Sequence, residues 1–517
     1  MISGLFLALS FPDTHLFWLA FFALIPLLVS INHMTDQEAF YAGFITGISY
    51  FFALIYWIVP TIHVYGGLHV IPAFGVFALL CLYLALYPAV FVFTLKKLGY
   101  GPYMPLLAAL LWTGLEYIRT YAFTGFSWGA LGYSQFKNLN LIQVADFTGI
   151  YGVSFMIVLV NSSIAFFWIK KKTKPKNQYL IPLFYTVILV AAAYIYGGYK
   201  INVIDSQIKE AEKTTITLIQ GNIRQSLKWS NEFKIQTIEK YIKLSKSQAD
   251  KHPDLVIWPE TALPFYYGVD RMLSNQVNQC VNFLETYFLI GSPAFEMDGR
   301  NTKFYNRSYM FDRSANIQGV WDKHHLVPFG EYVPLGRYLN FLGKITAQAG
   351  NFSPGRQPLI PLDFHDKNKK DTDDLETTVN TESTRKTGIL ICFEILFPSI
   401  SSKFVKNGAD MLTTITNDAW FGYSSAAMQH FSIAVFRAVE NRRTLARAAN
   451  TGISGFIDPK GKIIETTSLF TDAAVTRHVP VLTRLSFYTK HGDLFATGSL
   501  LVTLAILVWI FVIQKFT

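Results

Sequence analysis

Residues 255–260 read LVIWPE, and residues 387–392 read TGILIC. Each is a short apolar run rich in β-branched side chains, the composition of a strand covered on both faces. The first is closed by Pro259, which cannot donate to a ladder and so marks the strand end. Each run delivers one reactive group there, Glu260 in the first and Cys392 in the second, and a third strand-like run, 320–323, ends on Lys323. In α/β layers, reactive groups are expected to gather at such ends. A thiol can attack an acyl group, a carboxylate can take and return protons, and an ammonium can stabilise the oxyanion that forms. Singly, each residue has a plainer reading: a carboxylate capping the next turn, a surface lysine, an inert packing cysteine. Their recurrence at strand ends, with Glu394 two residues beyond the thiol, favours acyl-thioester chemistry.

Around these runs, further strand-like segments at 215–219, 287–290, 303–311, 411–416 and 452–457 alternate with amphipathic stretches such as 231–249 and 427–441. This pattern predicts an α/β layered sandwich. Residues 363–386 (DFHDKNKKDTDDLETTVNTESTRK) carry almost no apolar content and read as a surface loop. His324 and His325 are adjacent in an extended segment, so they point opposite ways, and no metal site is expected. A Cys–His dyad using His325 or His430 stays open. Gly66-Gly67 and Gly197-Gly198 match no phosphate-binding fingerprint, so no cofactor is expected. Cys81, Cys280 and Cys392 form neither a disulfide framework nor a zinc-ligand spacing.

The 517 residues are 51% hydrophobic, 16% aromatic and 15% charged, too apolar for a purely soluble enzyme. Runs at 14–31, 38–59, 70–95, 104–121, 148–170, 179–199 and 495–514 approach the ~20 residues of a crossing. A shorter run at 3–11 lacks the basic flank and the cleavage site of a signal peptide and reads as a first helix turned back at Pro12. Seven spans then precede residue 200 and one follows 490. The net charge of +10 lies partly in Lys96-Lys97, Lys170 to Lys172, Lys174 and Lys176, which fall on one side together with Lys515. Such clusters mark the cytoplasmic side rather than a nucleic-acid partner. The expected layout is a transmembrane domain at 1–199, a catalytic domain at 200–490 outside the cytoplasm, and a last helix within 491–517. In a Gram-negative bacterium that is the periplasmic face of the inner membrane. Thioester chemistry beside a bilayer points to a lipid substrate.

WPE at 258–260, Lys323 with GEYVP at 330–334 behind it, CFE at 392–394 and NDAWFG at 417–422 stand in this order. Together they resemble the apolipoprotein N-acyltransferase branch of the nitrilase, or carbon-nitrogen hydrolase, superfamily, over nearly the whole chain. The resemblance implies a polytopic helical membrane protein carrying a nitrilase-like αββα sandwich. It implies Glu260 as general base, Lys323 as oxyanion stabiliser and Cys392 as nucleophile, helped by a backbone N–H near Phe393. Glu331 and Glu394 match supporting carboxylates, and Trp229, Tyr332 and Trp420 are implied to engage substrate. One position departs: tyrosine often follows the nucleophile in this family, and here Phe393 can pack against acyl chains but brings no hydroxyl. The implied reaction is a ping-pong transfer by a monomer in the lipid bilayer. A phospholipid donates the acyl group, and the α-amine of an N-terminal S-diacylglyceryl-cysteine on an apolipoprotein accepts it. The rivals are a membrane-anchored amidase with the same triad and a catalytically silent lipoprotein-binding protein.

Other residues have two readings each. Glu116 and Arg119 in the fourth long span are candidates for lipid head groups or for pairing with each other. The aromatic segments 264–267 and 420–423 read as lids or as core. Arg437, Arg442, Arg443 and Arg447 read as phosphate contacts or, more simply, as solvated helix ends.

Overall fold

The computed structural model describes residues 1–171, 175–225, 228–299, 301–332, 351–366 and 383–511. The amino-terminal region is helical, with α1 (Asp36–Leu54), α2 (Val70–Leu98), α3 (Met104–Tyr121), α4 (Ile150–Lys170) and α5 (Lys176–Glu210) as its main elements. Among the described residues α2, α4 and α5 are long and apolar enough to cross a membrane. A fourth candidate is α1 with the segment Ile58–Tyr65, bent by 60°. The helix α5 continues to Glu210, well past the expected end of its apolar run. α1 begins at a capping box between Thr35 and Glu38. It packs on α2 through Gly43 and Gly47, where a Cβ would lie 2.6 Å from Pro88 O and from Ala85 Cα respectively. Small residues four apart let two helix backbones approach in this way.

The run expected at 14–31 is not one helix but three pieces, Phe17–Phe21, Ile25–Ser30 and Ile31–His33. Backbone N–H groups freed by the breaks are taken by side chains: Leu24 donates to Asn161 Oδ1 at 2.8 Å and Leu27 to Ser3 Oγ at 3.1 Å. Broken helix is tolerated in an apolar setting when its polar groups find such partners.

Among the described residues the second region holds two six-stranded sheets. The first runs β12-β1-β2-β3-β4-β5 and the second β11-β10-β9-β8-β7-β6. Their strands are β1 (Lys213–Gln220), β2 (Leu255–Ile257), β3 (Tyr287–Asp298), β4 (Asn301–Phe311), β5 (Ile317–Asp322), β6 (Leu362–His365), β7 (Thr384–Ile391), β8 (Met411–Thr416), β9 (Thr444–Ala449), β10 (Gly455–Ile457), β11 (Ile463–Thr466) and β12 (Ala473–Pro480). β1-β2-β3 and β7-β8-β9 are parallel. Parallel neighbours need crossovers, supplied by α6 (Asn231–Lys246), α7 (Arg271–Leu284), α8 (Pro398–Lys406) and α9 (Ala426–Asn441). Side chains alternate along the first sheet. Leu255, Ile257, Leu289 and Met310 join the core shared with the second sheet, while Val256, Phe288, Ile290 and Phe311 pack with Ile238 and Val277 of the outer helices. An αββα sandwich results. The chain closes with α10 (Leu494–Phe511).

Each strand-like run singled out in the sequence lies in or overlaps a strand, and β6, β9, β11 and β12 were not anticipated. β6 and the start of β7 occupy the ends of the expected loop 363–386, and its middle, 367–382, is outside the described residues. β9 reads TLARAA, which carries little β signal, but it is buried between β8 and β10. Neighbours on both sides override local preference there.

The stretch 427–441 was expected to be amphipathic, yet α9 is buried around nearly its whole circumference. Gln429, Arg437 and Glu440 face the membrane region rather than water. Glu440 Oε1 accepts from Arg437 at 2.9 Å and from the backbone N–H of Ile150, at the start of α4, at 3.0 Å, while Arg437 also donates to the Tyr133 hydroxyl. Arg442 pairs with Asp146 at 2.8 Å, and Arg443 donates to the carbonyls of Ala409 and Thr483. All four arginines of this region are buried against protein partners, so neither the phosphate nor the solvation reading holds.

Removing one member of such a pair strands the other. Arg437→Leu is expected to cost about 3–5 kcal/mol by leaving Glu440 buried without its cation. The check is thermal unfolding in detergent, with exposure of the buried Cys81 and Cys280 thiols as the signal; an unchanged midpoint would show that the pair contributes nothing.

Candidate active site

Lys323 and Cys392 follow β5 and β7 directly, and Glu260 stands three residues past the end of β2. β4 is antiparallel to both β3 and β5, so β5 runs in the direction of β2 and β3. Glu260 and Lys323 therefore emerge on one edge of the first sheet, and Glu260 reaches the matching edge of the second through Asn417, just after β8. Gly291 permits the turn at Glu260, because a Cβ there would lie 2.5 Å from Pro259 O and 2.8 Å from Glu260 Cα.

Glu260 Oε1 accepts from Asn306 Nδ2 at 2.7 Å and lies 3.5 Å from Lys323 Nζ; Oε2 accepts from the backbone N–H of Asn417 at 2.8 Å. Lys323 donates to Glu331 Oε1 at 3.0 Å, and Asn306 donates to the same oxygen at 3.0 Å. Glu331 Oε2 accepts from the Val327 N–H at 2.8 Å, which fixes the turn that carries it. Lys323 is 1% exposed. Burial works against its charge, but Glu331 and Glu260 outweigh that and hold the ammonium well above the ordinary lysine range.

Cys392 is a free thiol, partly buried, with φ of 52°. A non-glycine residue in this left-handed region carries strain on the order of 1 kcal/mol, which the surrounding structure must impose. Glu394 imposes it. One of its oxygens accepts from Ile391 N–H at 2.8 Å and the other from His324 N–H at 2.7 Å and His325 N–H at 3.3 Å. It thereby ties the end of β7 to the segment that bears Lys323. Burial pushes the Cys392 thiol far up, the Glu260 charge adds to this, and Lys323 pulls the other way.

Behind the nucleophile, Asp418 meets Arg447 at 2.8 Å and His430 Nδ1 at 3.1 Å, while His430 Nε2 lies 3.3 Å from the Cys392 carbonyl oxygen. Burial and Arg447 lower the proton affinity of His430. With Nδ1 also 3.0 Å from the Arg447 guanidinium, His430 is placed to donate through Nε2 to the main chain of Cys392. His325 Nε2 meets Thr124 O at 3.0 Å, its ring packs on Phe397, and burial holds it down to about 4. Neither imidazole is bonded to the thiol, so the geometry does not favour a Cys–His dyad.

Phe393 is partly buried with its ring 5.5 Å from Phe397 and 5.8 Å from His325. Trp229 is 40% exposed and adjoins Lys228, which is buried, donates to Thr261 Oγ1 at 2.7 Å and is brought down to about 8 by burial. Tyr332 is partly buried, and its carbonyl accepts from Phe329 N–H at 2.7 Å; Val333 and Pro334 of the same motif lie outside the described residues. Trp420 meets Tyr65 edge to face at 5.4 Å, its carbonyl accepts from Thr61 at 2.9 Å, and Phe421 packs on Trp57 at 4.8 Å. Segment 420–423 thus docks on the bent part of the membrane region. Glu116 and Arg119 are buried, 4.0 Å apart, and hold the 128–131 backbone: Arg119 donates to Trp128 O and Gly129 O, and Leu131 N–H donates to Glu116. Sequence reading overlooked Asn306, the shared donor to Glu260 and Glu331; its one signal was an amide within the aromatic run KFYNRSYMF. Among the described residues no three His, Cys, Asp or Glu side chains gather as a metal site.

Residues 3–163 match the family described as the apolipoprotein N-acyltransferase N-terminal domain, and residues 215–484 match the carbon-nitrogen hydrolase family. A protein of Geobacter metallireducens named apolipoprotein N-acyltransferase is 40% identical over 96% of this chain and 91% of its own length. One of the same name from Chlorobaculum tepidum is 29% identical, over 96% and 92%. The solved structure of the C. elegans NitFhit protein aligns with a TM-score of 0.39 at 16% identity, over 52% of this chain and 61% of that one.

A thiol pushed up by burial is un-ionised at neutral pH. Alkylation of Cys392 by iodoacetamide is therefore expected to accelerate continuously from pH 7 to pH 10, since only the thiolate reacts. Site-resolved mass spectrometry of the rate would reveal a plateau below pH 8 if the resting residue were already a thiolate.

Proposed function

Because the chain belongs to the apolipoprotein N-acyltransferase family, we propose that it moves a fatty acyl chain from a phospholipid to the α-amine of the N-terminal S-diacylglyceryl-cysteine of an apolipoprotein, through a thioester on Cys392. The observation that carries this reading is a free cysteine at a strained strand end, beside a buried Lys323 flanked by Glu260 and Glu331.

Glu260 takes the Cys392 proton as sulfur attacks the ester carbonyl carbon. The tetrahedral oxyanion is stabilised by the Lys323 ammonium and a backbone N–H near Phe393. Collapse breaks the acyl C–O bond, the lysophospholipid oxygen receives the proton from Glu260, and a thioester remains. The acceptor amine then attacks that carbonyl, Glu260 removes one of its protons, and the departing sulfur recovers it as the amide forms. Asn306 and the Asn417 N–H keep the Glu260 oxygens in place through both half-reactions. Glu331 holds Lys323, and Glu394 holds the strand end that carries the thiol.

We assign Trp229, Tyr332 and Trp420 as substrate contacts, and the Phe393 ring as a surface for an acyl chain. The membrane arrangement we infer is eight spans, with domains at 1–199, 200–490 and 491–517. Lysines at the carboxyl ends of α2 and α4 support a cytoplasmic side there; Lys172, Lys174 and Lys515 of the same argument lie outside the described residues. The catalytic region then sits on the periplasmic face of the inner membrane, acting as a monomer.

Intact-mass analysis after incubation with phospholipid is expected to show one acyl adduct, absent in Cys392→Ala and discharged by a diacylated lipopeptide. Glu260→Gln should slow adduct formation by about 10²–10⁴-fold. Discharge to water alone would instead establish the amidase, and no adduct under any lipid condition would revert the reading to a binding protein.

A further inference from the structure

A cavity of about 340 Å³ lies away from the reaction centre, between α5 and the segment 482–491 that leads into α10. α9 gives the separation. His430 reaches the Cys392 carbonyl, whereas Arg442, which lines the cavity, follows the opposite end of the helix, ~18 Å along its axis at 1.5 Å per residue. The cavity is therefore no part of the thioester site.

Its level relative to the membrane follows from the helices. Tyr199, Lys200 and Val203 line it where the apolar run of α5 ends, and Lys490 lines it just before α10 begins at Leu494. An exposed apolar stripe on α5, Phe184, Ile188 and Ile195, leads up to Tyr199 four residues further on. Positions four apart share a helix face, so stripe and cavity are continuous.

The charge balance is one-sided. Among the described residues Asp146 is the single carboxylate in the wall, and it is saturated: Tyr196 donates to one oxygen at 2.6 Å, and Arg442 and Lys200 meet the other at 2.8 Å and 3.2 Å. Arg484 and Lys490 also line the cavity and form no ion pair among the described residues. The backbone beneath them is fixed, because the buried Arg443 donates to Thr483 O at 2.8 Å and Arg484 O at 3.0 Å, and Ser486 donates to Glu440 O.

We propose that this cavity binds the head group of an anionic phospholipid that is not consumed by the reaction. Its phosphate lies against Arg484 and Lys490, and its acyl chains lie along the α5 stripe. A zwitterionic ethanolamine lipid is disfavoured because its ammonium finds no unsaturated carboxylate in the wall. The bound lipid bridges α5, the 482–491 segment and the end of α9, and so fixes the catalytic region against the bilayer. This inference rests on α5 and α10 entering the membrane and is independent of the thioester reading.

The test is native mass spectrometry of the delipidated full-length protein in detergent, titrated with phosphatidylglycerol, phosphatidylethanolamine or glycerol 1-phosphate. Phosphatidylglycerol is expected to bind about tenfold more tightly than phosphatidylethanolamine, and Arg484→Gln/Lys490→Gln to lose about tenfold in that affinity. Val203→Trp, which fills the cavity without changing its charge, is expected to lose the lipid as well. Both variants should keep the wild-type unfolding midpoint in the absence of lipid and still form the Cys392 adduct from phosphatidylethanolamine. Unchanged phosphatidylglycerol binding in both variants would overturn the proposal, as would equal affinity for the two lipids. Glycerol 1-phosphate binding as tightly as the lipid would overturn it too, by reducing the cavity to a small-anion site.

Discussion

A lysine ammonium withdrawn from water governs the construction of this site. Taking such a charge into a protein costs several kcal/mol unless its partners are close and well oriented. Lys323 is 1% exposed and has two carboxylates within reach, Glu331 at 3.0 Å and Glu260 at 3.5 Å. Those carboxylates need partners in turn. Asn306 donates to both, the Asn417 N–H takes the second oxygen of Glu260, and the Val327 N–H takes that of Glu331. A fixed positive charge in a dry site is worth more to a developing oxyanion than the same charge in water, because nothing has to reorganise during the reaction. The sandwich meets this demand by bringing the ends of β2, β5, β7 and β8 to one place from two sheets.

The same economy of partners extends to the rear of the nucleophile. His430 reaches the Cys392 carbonyl from α9 and stacks on Trp128 of the membrane region at 5.4 Å. Trp128 and Trp57 both donate to Gln429, one residue before it. One buried helix therefore serves as wall for the thiol and as floor on the membrane helices. Polar contacts at α9 thereby hold the strand end that carries the thiol at a set distance from the membrane helices. This explains how a helix with so many polar side chains can be buried nearly all round: Gln429, Arg437 and Glu440 bond to groups of the membrane region, and His430 bonds to groups of the site.

Local chemistry made much of this legible. Apolar strands ending on Glu260, Lys323 and Cys392 announced themselves by composition, since a strand covered on both faces has to be apolar and its first polar residue marks the way out. Helix lengths and lysine clusters outlined a membrane region for the same reason, because hydrocarbon excludes unpaired polar groups. Where the sequence misled, a distant partner had changed the setting. The 427–441 stretch reads as an amphipathic helix because its arginine and glutamate look exposed until Tyr133 and Ile150 meet them. β9, reading TLARAA, becomes a strand only because two neighbours cover it. The run at 14–31 breaks because Asn161 and Ser3 satisfy the backbone it frees.

The sequence by itself determined which residues could do chemistry, that they end strands of an α/β layer, and that a large apolar region accompanies them. Tertiary structure alone decided that Asn306 links two carboxylates, that Glu394 ties the end of β7 to the segment of Lys323, and that His430 meets the carbonyl of Cys392. It also decided that Arg484 and Lys490 line one cavity beside α5. Residue type fixes what a group can donate, accept or repel within its own segment. Which group it meets from tens or hundreds of positions away depends on how sheets and helices pack, and the geometry of a site lies in those meetings.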